Sequence, residues 1–272
     1  RLRALDDRFE SLRASADVSM ATKPATEDQV MPSLLAAGLE AWVTGLGEAG
    51  ASFSQDSEPS ANPALHARLR RALDESTEDQ FHWAFRAISA TNARAVITRL
   101  RKAVVEAGLA ADVPKRRLFI LRNADWPTGP KTQEAVARFL DAGGRVLRFT
   151  EDDLRILTAL RTLINENPPH LGQWLAARRP AEQVSFLREA LASWSDPDSP
   201  VPGNQLPPPS PGKPPGGLGP NGQSALAKVG DLLADAKPGP SNGGGISPLA
   251  RGAGGFVPGD DWRPSGMGTA PA

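Results

Sequence analysis

The stretch LFILRNADWPTGPKTQEAVARFL, residues 118–140, decides how this chain is read. A short apolar run at 118–121, preceded by Pro114, reads as a buried strand. A loop ending at Gly129 then enters a helix over 131–141, with Val136, Phe139 and Leu140 on one face. Gly143 and Gly144 close that helix, and residues 145–149 make a second strand. The two strands are expected at about 117–122 and 145–149. Strand, helix and strand with short connections form a βαβ unit, whose strands pair in parallel. The expected fold class is therefore α/β, mostly helical, with one βαβ unit flanked by helices.

A phosphate-binding loop is built in the same order and needs G-x-x-x-x-G-K-[ST]. With Lys131 and Thr132 on the K-[ST] pair, Asp125 and Pro130 fall on the two glycine positions. Asp125 adds negative charge where phosphate would sit, and Pro130 deletes a backbone donor. The loop thus reads as a corner: Gly129 turns the chain, Pro130 takes the first helical position and Lys131 is solvated. A weak anion site of Gly129, Lys131 and Thr132 at this helix N-terminus stays physically open.

Downstream, Thr150 caps another helix with Asp153 in the reciprocal position, and its core face is Leu154, Leu157, Leu160 and Ile164. The NPP at 167–169 breaks it, and helices at 171–177 and 181–194 follow, separated by Pro180. Upstream, ALHARLRRAL (64–73) reads as a short helix. TEDQ (77–80) reads as a capping box for a helix striped with Phe81, Phe85 and Ile88. Thr91 or Asn92 opens the next helix, with Val96, Ile97, Leu100, Val104 and Ala107 inward and Gly108 as its stop. Residues 31–50 form an amphipathic helix carrying Leu34, Leu35, Leu39, Trp42, Val43 and Leu46, with Pro32 in its first turn. Residues 14–28 are polar and 51–63 read as a loop.

No other run reads as a strand. Two parallel strands need cover on both faces and usually further strands. They must pair with strands outside this chain or pack as a minimal sheet among helices. The first residue is Arg1 rather than Met, so the chain is expected to be a fragment of something longer.

From residue 196 onward lie 16 of the 26 prolines and 17 of the 26 glycines, too few apolar side chains to offset the entropy of ordering. The expected division is a helical and loop segment at 1–62, a helical plus βαβ domain at 63–195, and a disordered linker at 196–272. One island in the linker, SALAKVGDLLADA (224–236), has helical spacing.

Formal net charge is zero, so the whole chain is not a polycation seeking nucleic acid. The basic signal is local: nine Arg and Lys residues lie between 86 and 122, opposed only by Glu106 and Asp112. Arg94, Arg101 and Lys102 can share a helical edge, and with Arg116 they are the candidate phosphate contacts, set against an ordinary solvated face. There is no cysteine, which excludes disulfides and cysteine–zinc sites. His66, His82 and His170 are scattered, and no serine sits in a nucleophile elbow, so no catalytic residue is assigned. The acids of TEDDLR (150–155) suit a first helical turn, and no metal or other cofactor is expected. Trp126 reads as packing back onto the sheet. No apolar run approaches a membrane span, so no membrane partner is expected and a soluble cytoplasmic location is.

From about 77 to 191 the pattern resembles a region of large bacterial P-loop ATPases from DNA-handling and phage-defence systems. RRLFILRNADWP, GPKTQEAVARFLDAGGRVLRFTEDDLRILTALRTLI and WLAARRP carry it. Neither Walker element is present, so the resemblance implies a non-catalytic accessory region whose partners are neighbouring domains of a longer polypeptide and DNA. Two alternatives stand beside it: a helical scaffold with no ligand, and a phosphate- or nucleotide-binding domain using the Lys131 loop.

Overall fold

A computed structural model describes residues 2–57, 59, 61–74, 76 and 79–195. Thr77, the Pro/Gly-rich segment and the helix expected at 224–236 lie outside the described residues. The elements run α1 (Leu2–Ser15), α2 (Glu27–Gly45), β1 (Phe53–Gln55), β2 (Ala67–Asp74), β3 (Asp79–Ala87), α3 (Ala93–Ala107), β4 (Arg116–Leu121), α4 (Pro130–Asp141), β5 (Arg145–Leu147), α5 (Glu151–Glu166), α6 (Leu171–Arg178) and α7 (Ser185–Ala190). Short 3₁₀ turns at Gly47–Ser52 and Pro180–Gln183 join some of them. The fold is mixed α/β.

The βαβ unit is β4–α4–β5, and β4 and β5 pair in parallel with Phe119 opposite Arg145. They do not stand alone. The sheet has five strands in the order β1-β2-β3-β4-β5. β3 pairs with β4 in parallel, while β2 runs antiparallel to both β1 and β3. Strands expected to be missing are thus present in this chain, at positions read from sequence as helix or loop.

The two misread helices explain themselves. ALHARLRRAL is made of Ala, Leu and Arg, all strong helix formers, yet it also alternates. Ala67, Leu69, Arg71 and Leu73 fall on one face, Arg68, Arg70 and Ala72 on the other. In β3, Phe81 and Phe85 stand four apart, which mimics a helical stripe. The strand is instead central, with both faces buried: Phe81, Trp83, Phe85 and Ala87 join one core, Ala84 and Ile88 the other. A strand covered on both sides loses the polar alternation that would reveal it. Its aromatics pack within the sheet, Phe81 on Trp83 at 4.4 Å and Phe85 stacked on Phe119 at 5.4 Å.

Helices cover both faces. α1, α2, α5, α6 and α7 bury Leu5, Leu35, Leu157, Trp174 and Leu187 against one side. α3 and α4 bury Val96, Leu100 and Phe139 against the other. Segment 1–62 contributes α1, α2 and β1 to the same core as residues 63–195. The α1 stripe of Leu5 and Phe9 was not read from sequence; Phe9 meets Trp174 at 5.3 Å, and Asp6 accepts from Trp174 Nε1 at 2.7 Å. α2 also starts earlier than expected, so Pro32 is inside the helix rather than in its first turn.

Several local readings hold. Asn92 caps α3 by accepting from Ala95 N–H at 3.2 Å, and Gly108 ends it in a left-handed conformation. Thr150 and Asp153 form a reciprocal capping box. The pair Gly143–Gly144 serves two separate needs. Gly143 adopts φ +89°, while a Cβ on Gly144 would fall 2.0 Å from the buried Phe139 ring. Gly144→Ala is therefore expected to cost about 1–3 kcal/mol through overpacking, read as a lower midpoint in urea denaturation. Among the described residues, no helix is long and apolar enough to cross a membrane.

Candidate functional site

β3, β4 and β5 end together at Ala87, Leu121 and Leu147, and the chain continues from them into the N-termini of α3, α4 and α5. In open α/β sheets this is the edge where ligands bind. The start of α2 reaches the same edge. Glu27 accepts from Ser89 N–H at 2.7 Å and from Arg99 Nη1 at 2.7 Å, and its carboxylate also takes the Ser89 hydroxyl. Between α2 and α3 opens a cleft of about 500 Å³, lined by Asp28, Arg86, Asn92, Arg94, Arg99 and Lys102 among others.

The cleft floor is a buried charge network. Asp28 Oδ1 accepts from Arg86 Nη1 at 2.8 Å and from His66 Nε2 at 3.0 Å. The N–H of Ala87 donates to His66 Nδ1 at 3.1 Å, so the imidazole proton is on Nε2 and goes to Asp28. Burial pushes the Asp28 carboxyl up, but the His66 and Arg86 hydrogen bonds outweigh it and hold it at about 2. Burial drives His66 down to about 4 against the pull of Asp28, with the Arg86 and Arg99 charges adding to the depression. Glu27 is shifted up by burial, opposed by its bonds from Ser89. Both nitrogens of His66 are committed, which leaves no free lone pair for a general base. The network fixes charge rather than moving protons. It also explains the early start of α2, whose first two side chains are its anchors.

The loops around the cleft are pinned. Arg122, 2 % exposed, donates to Ile88 O at 2.8 Å, Ala90 O at 2.7 Å and Asp125 O at 2.6 Å. Its guanidinium stacks on Trp126 at 4.7 Å, and Trp126 packs against the α3–α4 core. Asn123 donates to Phe149 O and accepts from Phe149 N–H.

The nine basic residues between 86 and 122 divide sharply. Arg86 is bound to Asp28, Arg99 to Glu27, Lys115 to Asp79, Arg117 to Pro114 O and the Phe81 ring, and Arg122 to three carbonyls. The side chains of Arg94, Arg101, Lys102 and Arg116 make no hydrogen bond or ion pair among the described residues. The first three share α3 and are exposed. Arg94 and Lys102 line the cleft, and Arg101 is exposed on the same helix. Arg116 is not with them. It begins β4 opposite His82, at the far end of the sheet.

At the α4 N-terminus, Gly129 is the cap and Pro130 the first helical residue. The N–H groups of Thr132 and Gln133 return to Gly129 O. Lys131 is exposed while Thr132 is 1 % exposed, so the two do not present one surface. The acids of 150–155 are spoken for as well. Glu151 binds Arg155, Asp152 binds Arg13, and Asp153 accepts from Thr150 N–H and from the N–H and hydroxyl of Ser185. The described residues contain no group of three or more His, Asp or Glu placed to hold a metal.

Glu27, Asp28, His66 and Arg86 were missed from sequence. One signal was available: His82 and Arg86 interrupt an otherwise apolar run, and a buried Arg demands a carboxylate partner. Nothing local identifies Asp28 as that partner. No family model, curated protein or solved structure matches this chain.

Proposed function

We propose that this domain grips the phosphate backbone of nucleic acid through the basic face of α3, as a non-catalytic accessory module of a larger cytoplasmic, DNA-associated ATPase. One observation carries the reading. Arg94, Arg101 and Lys102 are exposed cations on one helix, unpaired in a region where the neighbouring cations have protein partners. Arg94 and Arg101 stand seven residues apart, about 10 Å along the helix axis. That spans about three nucleotide steps at roughly 3.4 Å each. The fixed floor of Asp28, His66 and Arg86 supports the cleft on which Arg94 and Lys102 open. The ATPase setting rests on the resemblance over 77–191.

Binding of duplex DNA should weaken steeply with salt. Charge reversal at Arg94, Arg101 and Lys102 together should lower the log–log salt slope by about 2.7, near 0.9 for each phosphate no longer neutralised. Fluorescence anisotropy over a salt series measures both. Absence of binding at low salt, or an unchanged slope in the triple variant, would overturn the reading.

A further inference from the structure

The other end of the sheet carries a second cluster of cations, built differently. Arg70, His82 and Arg116 lie in register across β2, β3 and β4, each directly opposite the next. Side chains in such a row share one face of the sheet. It is the face that α3 and α4 cover further up, over Ala84, Leu118 and Ile120. Arg68 stands one step along the same face of β2, opposite Ala84.

The charges of this row are unbalanced. Asp56 accepts from Arg70 Nη2 at 2.5 Å and lies 3.5 Å from Arg68, which also meets Glu106 at 3.5 Å. Arg116 has no carboxylate partner among the described residues. Burial lowers its guanidinium pKa first, and the charges of Arg68 and Arg70 lower it further. His82 is 7 % exposed, and its Nδ1 is buried without a hydrogen-bond partner. Burial and then the Arg116, Arg68 and Arg70 charges push it down to about 4. A folded protein rarely leaves a buried imidazole nitrogen orphaned beside converging like charges unless something else completes the site.

We propose that the Arg70–His82–Arg116 row is a second oxyanion site, separate from the α3 cleft, that takes a single phosphate group. Strands two apart in a sheet are about 10 Å apart, so the long side chains of Arg70 and Arg116 can converge on one anion over His82. Guanidinium forks match the oxygens of phosphate, and the neutral imidazole supplies a further N–H donor. Set against Asp56 and Glu106, the three arginines leave one positive charge, that of Arg116; a phosphate oxyanion answers it, and its several oxygens can serve two guanidinium forks at once. The phosphate is either free or the terminal monoester of a nucleic acid strand.

The test uses the full chain and NMR observation of the histidine and arginine side chains. Inorganic phosphate at millimolar concentration should shift His82 and Arg116 while leaving His66 in place. Arg116→Gln should weaken that binding at least about tenfold, the loss of one charge-assisted hydrogen bond. Arg70→Gln is the second variant should Arg116→Gln fail to fold, and unchanged His66 signals establish that each variant is native. Arg94→Gln with Lys102→Gln should leave phosphate binding unaltered, which separates this site from the α3 cleft. A 5′-phosphorylated oligonucleotide binding more tightly than its unphosphorylated twin, with the difference erased by Arg116→Gln, assigns the phosphate to a strand terminus. Equal binding of the two, with inorganic phosphate still seated on the row, assigns it to the free ion. No phosphate-dependent shift at His82, or binding indifferent to both arginine variants, overturns the proposal.

Discussion

Replacing Asp28 with alanine is expected to lower the stability of the domain by about 3–5 kcal/mol. Arg86 is 1 % exposed, and Asp28 is the carboxylate that hydrogen-bonds it, at 2.8 Å. Without Asp28, a guanidinium is left buried and uncompensated, and the Nε2–H of His66 loses its acceptor. Glu27 cannot substitute, because it is held by Ser89 and Arg99. The effect belongs to the unpaired charge rather than to the pair. Adding Arg86→Met to Asp28→Ala should therefore recover much of the loss, since a buried ion pair exchanged for apolar side chains is often neutral or better. Urea denaturation of the two single variants and the double variant closes the cycle. A cost below about 1 kcal/mol for Asp28→Ala would mean that Arg86 finds solvent.

The second large effect is loss of stability in mild acid. His66 and His82 have folded pKa values of about 4, against 6.5 for an ordinary histidine, so both are neutral in the native state. Between those values the unfolded chain binds protons that the folded chain refuses. Their contribution is complete above about pH 6.5 and is lost as pH falls toward 4. A pKa displaced by one pH unit corresponds to about 1.4 kcal/mol, so the two histidines together withdraw several kcal/mol. Asp28, held at about 2 in the fold against an ordinary 3.8, contributes in the same direction only at lower pH. Glu27, raised by burial, acts in the opposite direction, favouring the fold as its carboxyl protonates. Urea midpoints measured from pH 7 to 4 should fall steeply, and His82→Gln should remove about one proton from the slope. A flat profile across this window would show that the histidines protonate freely in the native state.

Much of the local structure was legible in the sequence because its causes are local. Asn92 as cap, Gly108 as stop, Pro130 at the first turn of α4, and the Thr150–Asp153 box each depend on side chain and backbone within four residues. The βαβ unit was legible for the same reason: a short apolar run, a turn and an amphipathic helix follow one another along the chain. The cations of α3 were legible by spacing alone. The strands β1, β2 and β3 were not. Arg68, Arg70 and Arg71 sit in a segment with helix-forming composition, and the aromatics of β3 fit either period.

The sequence by itself thus determined the α/β class, the corner at Gly129 and Pro130, and the density of charge between 86 and 122. Tertiary structure alone decided which of those charges are free. Asp28 is 38 residues from His66 and shares with Arg86 a contact that no local pattern encodes. Arg70, His82 and Arg116 stand in one row only because strand register aligns them. Helix caps and turns are settled between neighbours in the chain, whereas a buried charge must be answered by whatever the fold brings beside it.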